Sequence, residues 1–175
     1  MPSISIIVPA HNEEALLGGT LRALGRAAAN LGEDCEIVVV DDGSTDRTAE
    51  IATTLGARVV RVDLRHIAAA RNAGARAAIG DVFVFVDADT LVPPAVLAQA
   101  VAAMRNGAVG GGSTVRMASG HARWAEQMMA GASWFMRTAR WAAGCFVLPG
   151  ATPSSRLAAS TSATSPARRF ISAAP

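Results

Sequence analysis

Short β-branched runs alternate with longer Ala- and Leu-rich stretches through the first two thirds of the chain. Ser3–Val8 (SISIIV), Glu36–Val40 (EIVVV) and Val82–Val86 (VFVFV) are apolar and β-branched, and Arg58–Val62 (RVVRV) is a weaker run of the same kind. Each ends in polar or Gly/Asp punctuation, the signature of short strands. Between them Glu13–Leu31, Asp46–Leu55 and Ile67–Ile79 have helical length. Thr45 or Asp46, and Asp63 or His66, are candidate helix starts, with Gly32, Gly56 and Gly80 as stops. Strands alternating with helices predict an α/β fold, a mostly parallel sheet flanked by helices, with ligands beyond the carboxyl ends of the strands. A further helix is expected over Pro93–Met104, its prolines suited to a first turn, and a strand through Ser113–Met117. His121–Arg140 is helix-like and carries Trp124, Met128, Met129, Trp134, Phe135 and Met136, either a packing face or the wall of an acceptor, lipid or partner site.

With 175 residues, 51% apolar and 17% charged, the chain has the makings of one domain with a real core, and global disorder is excluded. Sixteen basic against fourteen acidic residues give a net charge of +2, with no polybasic tract, so no nucleic-acid partner is expected. Cys35 and Cys145 form neither a CxxC pair nor a Cys/His cluster, which argues against a zinc site and fits a reducing, cytoplasmic setting. The opening MPSISIIVPAHNEE reads as a first strand and not as a secretion signal. No run approaches the roughly 20 apolar residues of a membrane span, so any membrane association would be peripheral.

Four polar groups fall at the expected strand ends. Asp87-Ala88-Asp89 leaves VFVFV with two carboxylates one residue apart, hard oxygen donors of the kind a divalent cation takes beside a bound diphosphate. Asp41-Asp42-Gly43-Ser44-Thr45-Asp46 follows EIVVV; a turn with a helix cap needs one acid, and the surplus could accept hydrogen bonds from a base or ribose. Pro9-Ala10-His11-Asn12-Glu13-Glu14 closes the first strand, with Asn12 as a candidate helix cap. Arg71-Asn72-Ala73-Gly74 places a guanidinium among small residues, open to a phosphate or a base.

SIIVPAHNEE, EIVVVDDGSTDRTAEIA, ARNAGARAAIGD and VFVDADT, in that order and spacing, resemble the family 2 glycosyltransferases of GT-A fold over Ser3 to about Leu148. The resemblance implies a Rossmann-like sheet, transfer of a sugar from a nucleotide diphosphate donor, often UDP-linked, to an acceptor with inversion, and assistance by Mg²⁺ or Mn²⁺. It implies that Pro9, Ala10 and Glu13 line the nucleoside pocket, that Asp42 meets the base, and that Arg71 lies near the base or phosphates. Asp87 with Ala88 would address the ribose side, and Asp89 the metal. It also implies a downstream general base near a Gly-Gly-Phe-Asp-Glu segment, yet residues 127–175 contain no Asp or Glu.

Residues 1–148 are therefore expected to form the nucleotide-sugar domain, incomplete at its C-terminus, and 149–175 an irregular tail of Ser, Thr, Ala, Pro and Arg. The tail has a second explanation. Codons GGC TTC GAC GAG for Gly-Phe-Asp-Glu, read one base late, yield Ala-Ser-Thr and then Ser or Arg, matching Ala159-Ser160-Thr161-Ser162. Gly-Glu-Glu-Ile shifted alike yields Ala-Arg-Arg and then Phe or Leu, matching Ala167-Arg168-Arg169-Phe170. Three activities stay open at this point: a metal-dependent glycosyltransferase, a nucleotide-sugar-binding remnant without turnover, and a nucleotidyltransferase, against which stands the acidic PAHNEE where a basic, glycine-rich phosphate loop would be expected. A cytoplasmic location follows, with attachment to the inner face of a membrane left open.

Overall fold

A computed structural model describes residues 3–108, 111–113, 146–149 and 171–173. The sheet is built around β1 (Ile4–Ala10), buried at all seven positions. A strand with neighbours on both edges and helices on both faces has no side left for water, which is why ISIIVPA is a run and not an alternation. Its one hydroxyl is satisfied internally: Ser5 Oγ donates to Glu36 Oε1 and accepts from the Gly80 amide at 2.9 Å.

β2 (Cys35–Asp42) and β4 (Val82–Phe85) flank β1, and β3 (Arg58–Val62) lies outside β2; all four are parallel. β5 (Gly111–Ser113), β6 (Phe146–Pro149) and β7 (Ile171–Ala173) extend the sheet beyond β4 in the order β3-β2-β1-β4-β6-β5-β7, with β6 antiparallel to β4. The helices are α1 (Leu17–Ala29), α2 (Thr48–Thr54), α3 (Ile67–Ala77) and α4 (Pro94–Arg105). The two-residue period of a strand divides the core. Ile4, Ile6 and Val8 pack with Leu17, Leu21 and Leu24 of α1 and Leu97 and Val101 of α4. Ile7 faces the other way, with Val40, Phe83, Phe85 and Ala70 of α3.

All the strands and helices expected up to residue 105 are present, β3 with its expected bounds and the others with shifted ends. β1 runs on through Pro9 and Ala10. The Ile7 carbonyl accepts from Val86 N, so Ile7 and, by parity, Pro9 direct their backbone groups toward the β4 edge. Pairing with β4 stops at Ile7, so the missing proline N–H removes no rung. β2 likewise extends through Asp41 and Asp42, which are strand residues and not turn residues. α1 begins at Leu17 and not at Glu13; its N-cap is Leu16, without a side-chain cap, so Asn12 does not cap it. His66 does cap α3, its Nδ1 accepting from Ala69 N at 3.4 Å. The strand expected at Ser113–Met117 is observed as Gly111–Ser113, its remainder outside the described residues, as is the whole of His121–Arg140. Within the stretch expected to be irregular, Ile171–Ala173 pairs in parallel with β5.

α3 lies close on the sheet because Gly74 allows it. A Cβ there would overlap Ile7 Cγ2 and stand 2.8 Å from Val40 Cγ2. Gly74→Ala is therefore expected to destabilise the fold by about 1–3 kcal/mol, read from urea denaturation, although alanine is the better helix former.

Candidate functional site

The loops after β1 and β2 hold one another. Ser44 Oγ accepts from Asn12 N at 2.9 Å, and Asn12 Oδ1 accepts from Thr45 N at 2.8 Å. Thr48 Oγ1 accepts from Glu13 N at 2.8 Å, Asp46 Oδ2 from Glu14 N at 3.1 Å, and Glu14 Oε2 from Arg47 N at 3.1 Å. Asn12 adopts φ 54°, a left-handed conformation that asparagine tolerates better than most residues. Its side chain braces the neighbouring loop and leaves α1 alone.

The three acids of DDGSTD all have backbone work, which corrects the idea that one suffices. Asp41 Oδ1 accepts from Ser44 N at 3.2 Å, and Asp46 Oδ1 accepts from Thr48 N at 2.9 Å. Asp42 is buried, and its carboxylate closes the β3–α3 loop: Oδ1 accepts from Leu64 N at 2.6 Å and Arg65 N at 3.1 Å, and Oδ2 from His66 N at 3.1 Å. Burial by itself would raise the Asp42 pKa, but these three donors together outweigh it and hold the carboxyl below its ordinary value. Asp46 is lowered in the same way, burial being overcome by the Thr48 hydroxyl and amide and by Glu14 N. The Asp42 carbonyl lies 2.7 Å from His11 Nδ1. A carbonyl only accepts, so Nδ1 carries the proton and Nε2 is left to accept from Asn12 Nδ2 at 3.3 Å.

On β4's side, Arg71 Nη2 donates to Asp87 Oδ1 at 2.6 Å, in a partly buried ion pair. Ala88 is buried, and Asp89 is exposed, in contact with the Thr90 hydroxyl at 3.3 Å. These pieces meet in one cleft of about 440 Å³, lined by Pro9, Ala10, His11, Glu13, Asp42, Arg65, His66, Ile67, Ala70, Asp87, Ala88 and Asp89. Of the eight residues expected at the site, seven line it; Arg71 stands one layer back, holding Asp87. Glu13 is raised above the ordinary glutamate value, first by burial and then by the negative charges of Asp89 and Asp46.

The wall from Arg65 to Ala70 was not expected from sequence beyond His66 as a helix start. Its signal was weak: Ile67 is a large apolar residue that opens a helix yet remains 57% exposed, and Arg65 sits at φ 48°. Among the described residues no three His, Cys, Asp or Glu side chains group as a metal cage. An exposed Asp89 with Asp87 committed to Arg71 suits a hard cation that takes most of its ligands from phosphate and water.

The family model for glycosyl transferase family 2 matches residues 5–160. The chain belongs to that family. The chain is 38% identical over 109 residues to validoxylamine A glucosyltransferase of Streptomyces hygroscopicus subsp. jinggangensis, a match covering 59% of this chain and 26% of the relative. It is 37% identical over 140 residues to undecaprenyl-phosphate 4-deoxy-4-formamido-L-arabinose transferase of Pseudomonas aeruginosa, covering 72% and 40%. The chain thus spans from about a quarter to two-fifths of the length of these curated relatives. Among solved structures it resembles glucosyl-3-phosphoglycerate synthase of Mycobacterium tuberculosis in complex with Mn²⁺, UDP and glucosyl-3-phosphoglycerate, with TM-score 0.63, 25% identity, and 85% of this chain and 57% of that one covered. It also resembles TarS of S. aureus in complex with UDP-GlcNAc, with TM-score 0.57, 26% identity, and coverage of 69% and 36%. Both α/β architecture and GT-A fold follow. Among the described residues no helix is long and apolar enough to cross a membrane.

Asp42→Asn replaces an acceptor with an amide that cannot serve all three N–H groups, and a loss of about 2 kcal/mol is expected on urea denaturation. The sign of the pH dependence follows from the lowered folded values. Asp42 and Asp46 stabilise the fold fully above the unfolded aspartate value of about 4, and that stabilisation is lost as pH falls through their folded values. The urea midpoint should therefore drop on acidification below about pH 4, and less steeply in Asp42→Asn.

Proposed function

We propose that residues 1–148 form the donor-binding unit of an inverting, metal-assisted glycosyltransferase that uses a nucleotide diphosphate sugar, UDP-linked by preference. The observation that carries this reading is the single cleft in which the ends of β1, β2 and β4 gather Pro9, Ala10, Glu13, Asp42, Asp87, Ala88 and Asp89. Pro9, Ala10 and Glu13 form the nucleoside side. Asp42 has three backbone donors on a carboxylate with about four acceptor sites, which leaves room for one hydrogen bond from a base. Arg71 holds Asp87 toward the ribose, and Asp89 would hold Mg²⁺ or Mn²⁺. Such a cation, when bound, offsets the negative charge that develops on the diphosphate as the glycosidic bond breaks. Support also comes from the relatives: one is named for validoxylamine A and another for undecaprenyl phosphate, yet both match in this region.

Inversion needs a general base to take the acceptor's proton. Residues 127–175 supply no carboxylate for that task, and the tail's match to shifted Gly-Phe-Asp-Glu and Gly-Glu-Glu-Ile codons supports a one-base loss near codons 147–158. On this reading residues 1–148 bind the donor, and the general base is encoded in the unshifted frame. A cytoplasmic position, peripheral to the inner face of a membrane, belongs to the same proposal and draws on the relative named for undecaprenyl phosphate.

Calorimetric titration of the chain with UDP, in manganese and in chelator, tests the donor reading. Manganese should tighten UDP, and Asp89→Ala should abolish that gain while leaving the melt intact; a gain that survives Asp89→Ala overturns the metal role. Resequencing the gene through codon 175 in all three frames tests the tail. A frame continuing through Gly-Phe-Asp-Glu supports the shift, and its absence rejects it.

A further inference from the structure

We infer that Thr20 is a positioning residue for the cation carboxylate of Asp89, an inference that rests on the donor-and-cation reading above. The inward face of α1 is Leu17, Thr20, Leu21, Ala23, Leu24 and Ala27, apolar at every position but one. Thr20 is 1% exposed, and its hydroxyl donates to the Ala88 carbonyl at 2.7 Å across 68 residues of sequence. A hydroxyl on a core-facing helix stripe is unfavourable unless it is bonded, so its position needs this acceptor. The carbonyl needs the hydroxyl equally. β4 ends at Phe85, the Val86 amide makes the final bond to Ile7 O, and the next turn closes with Thr90 N on Asp87 O. The Ala88 carbonyl lies between these, buried, and α1 supplies its donor.

That carbonyl belongs to the peptide unit joining Ala88 to Asp89. Its oxygen lies in one plane with the Asp89 nitrogen and Cα. Holding the oxygen restrains the peptide plane from which Asp89 Cα departs, so α1 limits where the carboxylate can be presented. The same helix is anchored at its other end of contact: Leu16 N and Leu17 N both donate to Glu13 O, and Glu13 lines the cleft with Asp89. One helix thus bonds to the backbone on both acidic sides of the cleft. Thr20 touches neither donor nor cation; it acts through Ala88.

The test is titration of UDP, with manganese and with chelator, into wild type, Thr20→Val and Thr20→Ser, alongside thermal melts. Thr20→Val keeps the shape and removes the donor. It is expected to reduce the manganese-dependent gain about fivefold, the scale of one lost hydrogen bond, and by more than any change in the metal-free UDP affinity, with Thr20→Ser restoring it. An unchanged manganese gain in Thr20→Val, or a proportional fall of both affinities that follows the melting temperature, overturns the positioning role. Should Thr20→Val not melt cooperatively, Thr20→Ala removes the same donor without pressing a methyl against the carbonyl and is read by the same criteria. Failure of the underlying reading looks different: wild type then shows no manganese gain, or keeps it in Asp89→Ala.

Discussion

Burial of β1 on both faces is the constraint from which the site follows. Because β2 and β4 pair with it in parallel, with Ala10 opposite Asp41 and Ile7 opposite Phe85, the three chains leave the sheet on the same edge. Nothing polar fits between Ile4 and Val8 except a hydroxyl with two partners. The polar stretches HNEE, GSTD and DAD are thereby excluded from the sheet and collected beyond its carboxyl end, with Asp41 and Asp42 as the last residues of β2. The cleft is the consequence of hydrophobic strands of matched register ending together.

What fills that edge is first an internal bonding scheme. Backbone N–H groups at the beginnings of loops and helices need acceptors where water is scarce, and short acidic side chains supply them. Asp42 does so three times, and in doing so it fixes the 64–66 loop that becomes the opposite wall of the cleft, including Arg65 in its left-handed conformation. The number of carboxylates in a motif is therefore a poor count of ligand groups. Asp41, Asp42 and Asp46 bind backbone, and Asp87 is matched by Arg71. Of these aspartates Asp89, exposed and touching only a neighbouring hydroxyl among its hydrogen bonds in the described residues, has the most capacity left.

The sheet and its helices were legible because they depend on a local property, the run or period of apolar residues. Their ends were less so: Pro9 counts as a breaker by itself, and only its parity relative to the end of β4 makes it acceptable in β1. The site was legible as a set of motifs at strand ends, and seven of the eight residues do converge. Their partners were not. That Asn12 braces a loop 33 residues away, that Arg71 is bonded to Asp87, and that Thr20 reaches Ala88 are facts of packing between elements, with no local signature. The Arg65–Ala70 wall escaped for a similar reason, since it is made by the backbone that Asp42 holds.

The charge of the cleft bears on how a diphosphate could enter it. Glu13, Asp42, Asp87 and Asp89 line it against Arg65, while Arg71 balances Asp87 from behind. Burial first and then the charge of Asp89 make Glu13 harder to ionise, so the two acids repel. A second anionic group would add to that repulsion, and in a partly desolvated crevice the interaction is weakly screened. Under the proposed reading a divalent cation at Asp89 removes both difficulties at once, shielding Glu13 and attracting the phosphates. The acidic character that argues against a phosphate loop is then the feature that makes donor binding depend on metal.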